Sequence, residues 1–291
     1  MDVGEYERFK TDDGRQLTFW KEGRGPVLVC HPGGPGLASA AEFFDFCGLA
    51  DHLTLIKFNP RGVGGSDRPK DKNSYALRDY ANDLEELRRY LNLERLSLFG
   101  NSHGGRVAIT YSATFGDRID RLVLCAARVG HFDSDEEERV KAITARSRES
   151  WFPAAWRAYQ SLSEDKWETE EDLGQLVIQA MPLAFGHFGQ AQAATLEAAR
   201  EAFAHPNGDL RRYKGDPELR DLTNELGRIR APTLVFQGTA DPLVSPRNAE
   251  EIAQRVSDAR LILLDGVGHA FPWVDGRQRI RDEILSFFSL H

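Results

Sequence analysis

Short apolar runs alternate with longer mixed stretches along most of this chain. Residues 8–10 and 16–20 flank Asp12-Asp13-Gly14, a turn sequence that predicts a hairpin. Compact apolar runs at 27–30, 53–58, 96–100, 122–125, 233–237 and 260–264 predict strands. Between them the apolar spacing becomes helical. Leu84, Leu87 and Leu91 share one face of a helix predicted over 80–91, and further helices are expected over 103–115, 246–256 and 280–288. The runs 27–30, 122–125 and 233–237 are almost wholly apolar, as strands covered on both faces must be. Strands alternating with helices predict an α/β fold with a mostly parallel sheet and helices on both faces.

Residues 129–230 break this rhythm. They hold no convincing strand and are rich in Ala, Glu, Arg, Trp and Phe at helical spacing. The expected division is therefore a core of 1–128 and 231–291, interrupted by a helical lid insertion at 129–230 over the strand ends. The acidic run 135–138 suits the positive end of a helix dipole and reads as a solvated helix start.

Composition narrows the function classes. The 291 residues, 41% apolar and 28% charged, suit a globular chain. A net charge of −8 disfavours nucleic acid as a partner, since phosphate neutralisation needs a basic face. No stretch approaches the roughly 20 apolar residues of a membrane span, and the charged first ten residues lack the apolar run of a signal peptide. A cytoplasmic protein away from membranes is expected. Cys30, Cys47 and Cys125 are scattered, and Cys30 and Cys125 lie in apolar runs, so buried free thiols are expected. No His/Cys cluster has metal-ligand spacing, so no metal is expected.

The strongest chemical signal is Gly100-Asn101-Ser102-His103-Gly104, a G-x-S-x-G sequence between an expected strand and an expected helix. A sharp strand-to-helix turn holds the serine strained and exposed, and the glycines avoid clashes with neighbouring elements. Ser102 is the expected nucleophile.

A serine hydroxyl needs a base, and on this arrangement the order is Ser, acid, His. Of eight histidines, His269 follows a strand in the loop Asp265-Gly266-Val267-Gly268-His269. The terminal His291, and His187 and His205 within the insertion, are not placed for the task. The preceding strand leads into Gly238-Thr239-Ala240-Asp241-Pro242, so Asp241 is the expected acid; Asp265 and Asp275 lie too near His269 in sequence. Oxyanion donors are expected from the amide of His103 and from the loop His31-Pro32-Gly33-Gly34-Pro35-Gly36, through Gly34 or its neighbour Gly33. No Lys-Ser/Thr follows that loop, which argues against phosphate cradling. The second glycine loop, residues 61–66, reads as a turn, with Arg61 tying loops together.

Together these residues resemble the α/β-hydrolase superfamily across essentially the whole chain. Gly33-Gly34-Pro35-Gly36, Arg61-Gly62 with Gly64 and Ser66, Gly100-x-Ser102-x-Gly104-Gly105 and Gly268-His269 resemble its proline iminopeptidase branch. The resemblance implies an α/β-hydrolase fold and a cofactor-free serine hydrolase that removes N-terminal residues from short peptides or aminoacyl amides. That branch reads the free ammonium with lid carboxylates, for which Glu164, Glu168, Glu197 and Glu201 are available. Phe271 and Trp273, beside His269, are the expected substrate-binding residues, whereas Trp151, Phe152, Trp156, Phe185 and Phe188 read first as core. The chain departs from the branch at Pro32, where a histidine is usual, at Asn59-Pro60, and at His103, where a tryptophan is usual. Those departures carry the alternative, a carboxylesterase or lactonase for a small apolar acyl substrate.

Overall fold

A computed structural model describes residues 5–34, 36, 46–130, 135–198, 200, 206–207, 221–270 and 275–290. Eight strands, β1 (Glu5–Lys10), β2 (Gln16–Gly23), β3 (Val27–His31), β4 (Thr54–Asn59), β5 (Leu96–Asn101), β6 (Ile119–Cys125), β7 (Thr233–Gly238) and β8 (Ala259–Leu264), form one sheet in the order β1-β2-β4-β3-β5-β6-β7-β8. Strand β2 runs antiparallel to both its neighbours. Every pairing from β4 through β8 is parallel. The helices are α1 (Leu77–Tyr90), α2 (His103–Thr114), α3 (Asp135–Thr144), α4 (Phe152–Ser163), α5 (Glu170–Ala180), α6 (Gln190–Ala198), α7 (Thr223–Leu226), α8 (Pro246–Arg255) and α9 (Arg277–Phe287).

The apolar runs divide by the period of two that a strand imposes. Val29, Leu98, Leu122, Leu124 and Val235 face one core with α1, α2 and α8. Leu28, Cys30, Phe99, Val123, Cys125, Leu234 and Phe236 face the other core with α9. Strands β5 and β7 are buried along their whole length, whereas the edge strand β8 leaves Leu263 48% exposed. The three cysteines are buried free thiols, and burial pushes those of Cys30 and Cys125 up.

The hairpin turn between β1 and β2 closes as its residues require. Gly14 takes a φ of +90°, and the Thr11 N–H donates to Arg15 O at 2.9 Å. Burial alone would raise the Asp13 carboxyl, but hydrogen bonds from Thr11 and Arg15 outweigh it and bring it down to about 2. Helix α1 starts three residues before the expected 80, because the Asp79 carboxylate accepts the Ala76 N–H at 2.9 Å and caps the first turn. Its inward face also carries Asp83. That carboxylate takes Arg15 Nη2 at 3.0 Å and Arg61 Nε at 2.7 Å, while Arg61 also donates to Ser74 O and Asp79 O. Arg61 thus ties loops together, as expected from the sequence.

Strand β3 lies between β4 and β5, so the chain leaves β3 in one direction and returns in the other. This is a topological switch point, where a parallel sheet opens a crevice beyond its carboxyl ends. The loops after β3 and β5 meet there. Between β6 and β7 no strand forms among the described residues; helices α3 to α7 fill the interval. Phe152 and Phe185 are buried within this helical segment, and Phe152 stacks on Trp156. The segment touches the loops at the strand ends through Ala270 N–H to Ala184 O at 3.0 Å and Asn207 N–H to Gly36 O at 2.9 Å. It also carries exposed ion pairs such as Arg68–Glu170 and Arg247–Glu138. Among the described residues, no helix is long and apolar enough to cross a membrane.

Candidate active site

Strand β5 ends at Asn101 and helix α2 begins at His103, leaving Ser102 alone to turn the chain. It does so at φ 51° and ψ −114°, a conformation a non-glycine residue adopts only when its surroundings enforce it. Those surroundings are tight. A Cβ on Gly100 would lie 2.5 Å from Gly104 O, and one on Gly104 would lie 2.4 Å from Pro32 O. The glycines of this motif are therefore steric necessities, which is why the pattern was legible before any fold was known.

Three side chains from three strand ends converge. Ser102 Oγ lies 3.0 Å from His269 Nε2, and His269 Nδ1 lies 2.8 Å from Asp241 Oδ2. The carboxylate accepts the proton on Nδ1, which leaves Nε2 to accept the Ser102 hydroxyl. Asp241 is itself fixed: its Oδ1 accepts the backbone N–H groups of Leu243 and Val244 at 2.8 and 2.9 Å. Its Oδ2 accepts Gln237 Nε2 at 3.1 Å. Gln237 is fully buried at the end of β7 and holds the Asp241 carboxylate in place, a contact its sequence context did not signal. The competing carboxylates are engaged elsewhere. Asp265 takes the Thr239 hydroxyl, and Asp275 takes Gln192. His187 is exposed.

The loop after β3 lies over the serine. A Cβ on Gly33 would sit 3.4 Å from Ser102 Cβ, and Gly34 adopts a φ of +126° that only glycine takes readily. His103 opens helix α2, so its amide is one of the first-turn N–H groups with no intrahelical acceptor. The His103 side chain packs edge-on against Tyr80, 5.3 Å between centroids, and lies 6.4 Å from His31. His31 and Tyr80 were not singled out by motif. Both are buried behind the loop, and His31 Nδ1 donates to Pro32 O at 3.1 Å.

Burial lowers the His31 pKa from 6.5 to about 4, and burial together with the neighbouring His31 and Arg106 lowers that of His103 to about 3. The stability consequence has a definite sign. As pH falls below 6.5 the unfolded chain takes up protons that folded His31 refuses, so stability declines until pH reaches about 4. The loss from His31 alone approaches on the order of 3 kcal/mol, and His103 adds in the same direction. Urea unfolding from pH 7 to pH 4.5 measures it. The His31→Asn variant, whose amide can keep the Pro32 hydrogen bond, is expected to show a shallower decline, and an unchanged slope would exonerate His31.

Phe271 and Trp273 lie outside the described residues, as do Pro35, Glu201, His205 and His291. The other glutamates considered for ammonium recognition are solvent-exposed. Glu164 is exposed and pairs with Lys166, Glu168 is exposed, and the Glu197 side chain is 75% exposed. What adjoins the histidine loop is apolar: Ala184, Phe185 and Ala270 form a buried cluster joined by Met181, Phe188 and Leu243. Among the described residues no group of three His, Cys, Asp or Glu side chains could hold a metal ion.

The family described as alpha/beta hydrolase fold matches residues 26–275. The chain is 27% identical over 254 residues to proline iminopeptidase PfmaB of Pestalotiopsis fici, covering 84% of this chain and 85% of that protein. It is 25% identical over 251 residues to a proline iminopeptidase of Lactobacillus helveticus, covering 84% and 83%. Among solved structures, an esterase from Exiguobacterium antarcticum superposes with a TM-score of 0.72 at 20% identity, covering 97% of this chain and 98% of that one. An enol-lactonase from Burkholderia xenovorans LB400 superposes with a TM-score of 0.69 at 20% identity, covering 97% and 100%.

Proposed function

Since the chain belongs to the alpha/beta hydrolase family and is a hydrolase, we propose that it works by serine acyl transfer, with Ser102 as nucleophile, His269 as base and Asp241 as the orienting acid. The observation that carries this reading is the continuous relay of 3.0 and 2.8 Å from Ser102 through His269 to Asp241. His269 Nε2 takes the serine proton as Oγ bonds to the substrate carbonyl carbon, and the carbonyl electron pair moves onto oxygen. The amides of His103 and Gly34 hold that oxyanion. When the pair returns, the bond to the leaving amine or alcohol breaks and His269 protonates it. Water then repeats the sequence on the acyl-enzyme, releasing the acid and restoring Ser102. The helical segment at 129–230 serves as the lid over this cleft, and the core is 1–128 with 231–291. Phe271 and Trp273, beside the base in sequence, are the residues proposed to bind substrate. Buried free thiols suit a reducing compartment such as the cytoplasm.

For the substrate, the proposal is an N-terminal aminoacyl amide or short peptide, cleaved as by a proline iminopeptidase. It is supported by curated relatives of that name that align along 84% of the chain and by the Gly33-Gly34-Pro35-Gly36 loop. A second reading, an esterase or lactonase for a small apolar acyl group, draws on the solvent-exposed glutamates and the apolar cluster beside His269. Proline arylamide and a short-chain aryl ester, assayed side by side with Ser102→Ala as control, separate the two. Cleavage of the free-amine arylamide, lost when the amine is acylated, is the expected result. Turnover of the ester alone would discard the peptidase and leave the acyl-transfer machinery standing.

A further inference from the structure

The loop that carries His269 is gripped from two sides, and the mechanism above uses only one of them. On the first side the acid loop holds it: Ala240 N–H donates to Val267 O at 3.0 Å, and Gly266 N–H donates to Thr239 Oγ1 at 2.9 Å. On the second side residues 184–186 of the helical segment meet it backbone to backbone. Ala270 N–H donates to Ala184 O at 3.0 Å. A Cβ on Gly268 would lie 2.1 Å from Gly186 N, and one on Gly186 would lie 2.2 Å from Gly266 O. These contacts fall on the residues immediately before and after His269, so any shift of 184–186 displaces the base.

The 184–186 stretch is itself held by one side chain. Arg146, just beyond α3, donates through Nη2 to Leu183 O at 2.8 Å and through Nη1 to Phe185 O. Its remaining close partner is the face of Trp151, 5.7 Å from the guanidinium carbon. A guanidinium set on two carbonyls and a ring, with no carboxylate among its described partners, is a costly fastener, since its charge is partly desolvated. Cohesion does not demand it, because Ala184, Phe185 and Ala270 already pack as an apolar cluster. What the guanidinium adds is direction: two bonds at fixed angles set where the peptides at 183–185 lie.

We propose that Arg146 is a positioning residue for the base, fixing residues 183–186 so that the His269 ring stays in line with Ser102 Oγ. The proposal rests on His269 being the base. A misplacement of about 1 Å in a reacting group costs on the order of 100-fold in rate, so this brace acts on turnover more than on substrate binding.

The test measures kcat and KM for a short-chain aryl ester in Arg146→Met, Arg146→Lys and Gly186→Ala, with thermal unfolding of each and His269→Ala as reference. The expected result is a fall of roughly 10- to 100-fold in kcat at nearly unchanged KM for Arg146→Met. Partial recovery is expected in Arg146→Lys, whose ammonium can still reach a carbonyl. Gly186→Ala should fall likewise, because its methyl group pushes on Gly266 O. The low-field proton NMR signal of the His269 Nδ1–H shared with Asp241 should shift or broaden in the same variants. A kcat within twofold of wild type in folded Arg146→Met or Gly186→Ala would overturn the proposal. So would losses that track the unfolded fraction with the NMR signal unmoved. If Arg146→Met does not fold, the lysine and alanine variants decide alone. Wild-type turnover in His269→Ala would instead overturn the triad, a result distinct from failure of the brace.

Discussion

Ser102→Ala and His269→Ala are each expected to lower kcat by on the order of 10⁴- to 10⁶-fold, with the double variant falling little further. The reason is that the groups act as one unit. Once the 3.0 Å contact between Ser102 Oγ and His269 Nε2 is broken, either remaining partner has nothing to act upon. Asp241→Asn should cost about 10⁴-fold although its shape is kept. An amide can present its N–H to Nδ1 and so stabilise the tautomer that puts the proton on Nε2, where it blocks the serine. The carboxylate is also the acceptor for Leu243, Val244 and Gln237, so the same change disturbs its own seat. Single-turnover kinetics with an aryl ester check these outcomes. Losses that multiply in the double variant would mean that Ser102 and His269 act separately, and the assigned pair would be wrong.

The largest expected effect on stability is at Asp83. Asp83→Ala leaves Arg15, 9% exposed, and Arg61, 3% exposed, without the carboxylate that both share. Removing one partner of a buried charge set costs about 3–5 kcal/mol, because the remaining charges lose an ion pair that water cannot replace in the interior. Arg15 retains Asp13, and Arg61 retains the Asp79 carboxylate at 3.9 Å, two carbonyls and the face of Tyr80 at 5.5 Å, which places the expectation toward the lower end. For a chain of this size the midpoint of thermal unfolding should fall by on the order of 10 °C. Urea unfolding should show a lower midpoint at an unchanged slope. A loss below about 1 kcal/mol would show that the other partners suffice and that Asp83 is dispensable.

The strands and most helices were legible because burial on both faces leaves a plain signature. The runs 27–30, 122–125 and 233–237 are almost wholly apolar, and the structure sorts their apolar side chains by parity into two cores. Boundaries moved where a local side chain decided them, as Asp79 does at the start of α1. The G-x-S-x-G sequence was legible for a different reason. Gly100 and Gly104 answer to clashes within a few residues of Ser102 or with one crossing loop, so the constraint is written beside the serine itself. The orders of strand, acid loop and histidine loop then located Asp241 and His269. Gln237, His31, Tyr80 and Arg146 were not legible. Each matters through a partner from another part of the chain, and a buried glutamine or a helix-end arginine looks the same in sequence whether or not it meets one.

By itself the sequence determined the alternation of elements and pointed to the three side chains of the proposed relay, since these follow from periodicity, local sterics and chain order; the family was legible through the resemblance of its motifs. The tertiary structure alone decided which charges pair in the interior, what surrounds the serine loop, and how the helical segment meets the histidine loop. Those depend on contacts between residues 83 and 15, 31 and 103, and 184 and 270, where no short-range pattern records the pairing. The physical reason is that periodicity and steric limits act over a few residues, while burial and hydrogen-bond satisfaction are settled only when distant segments meet.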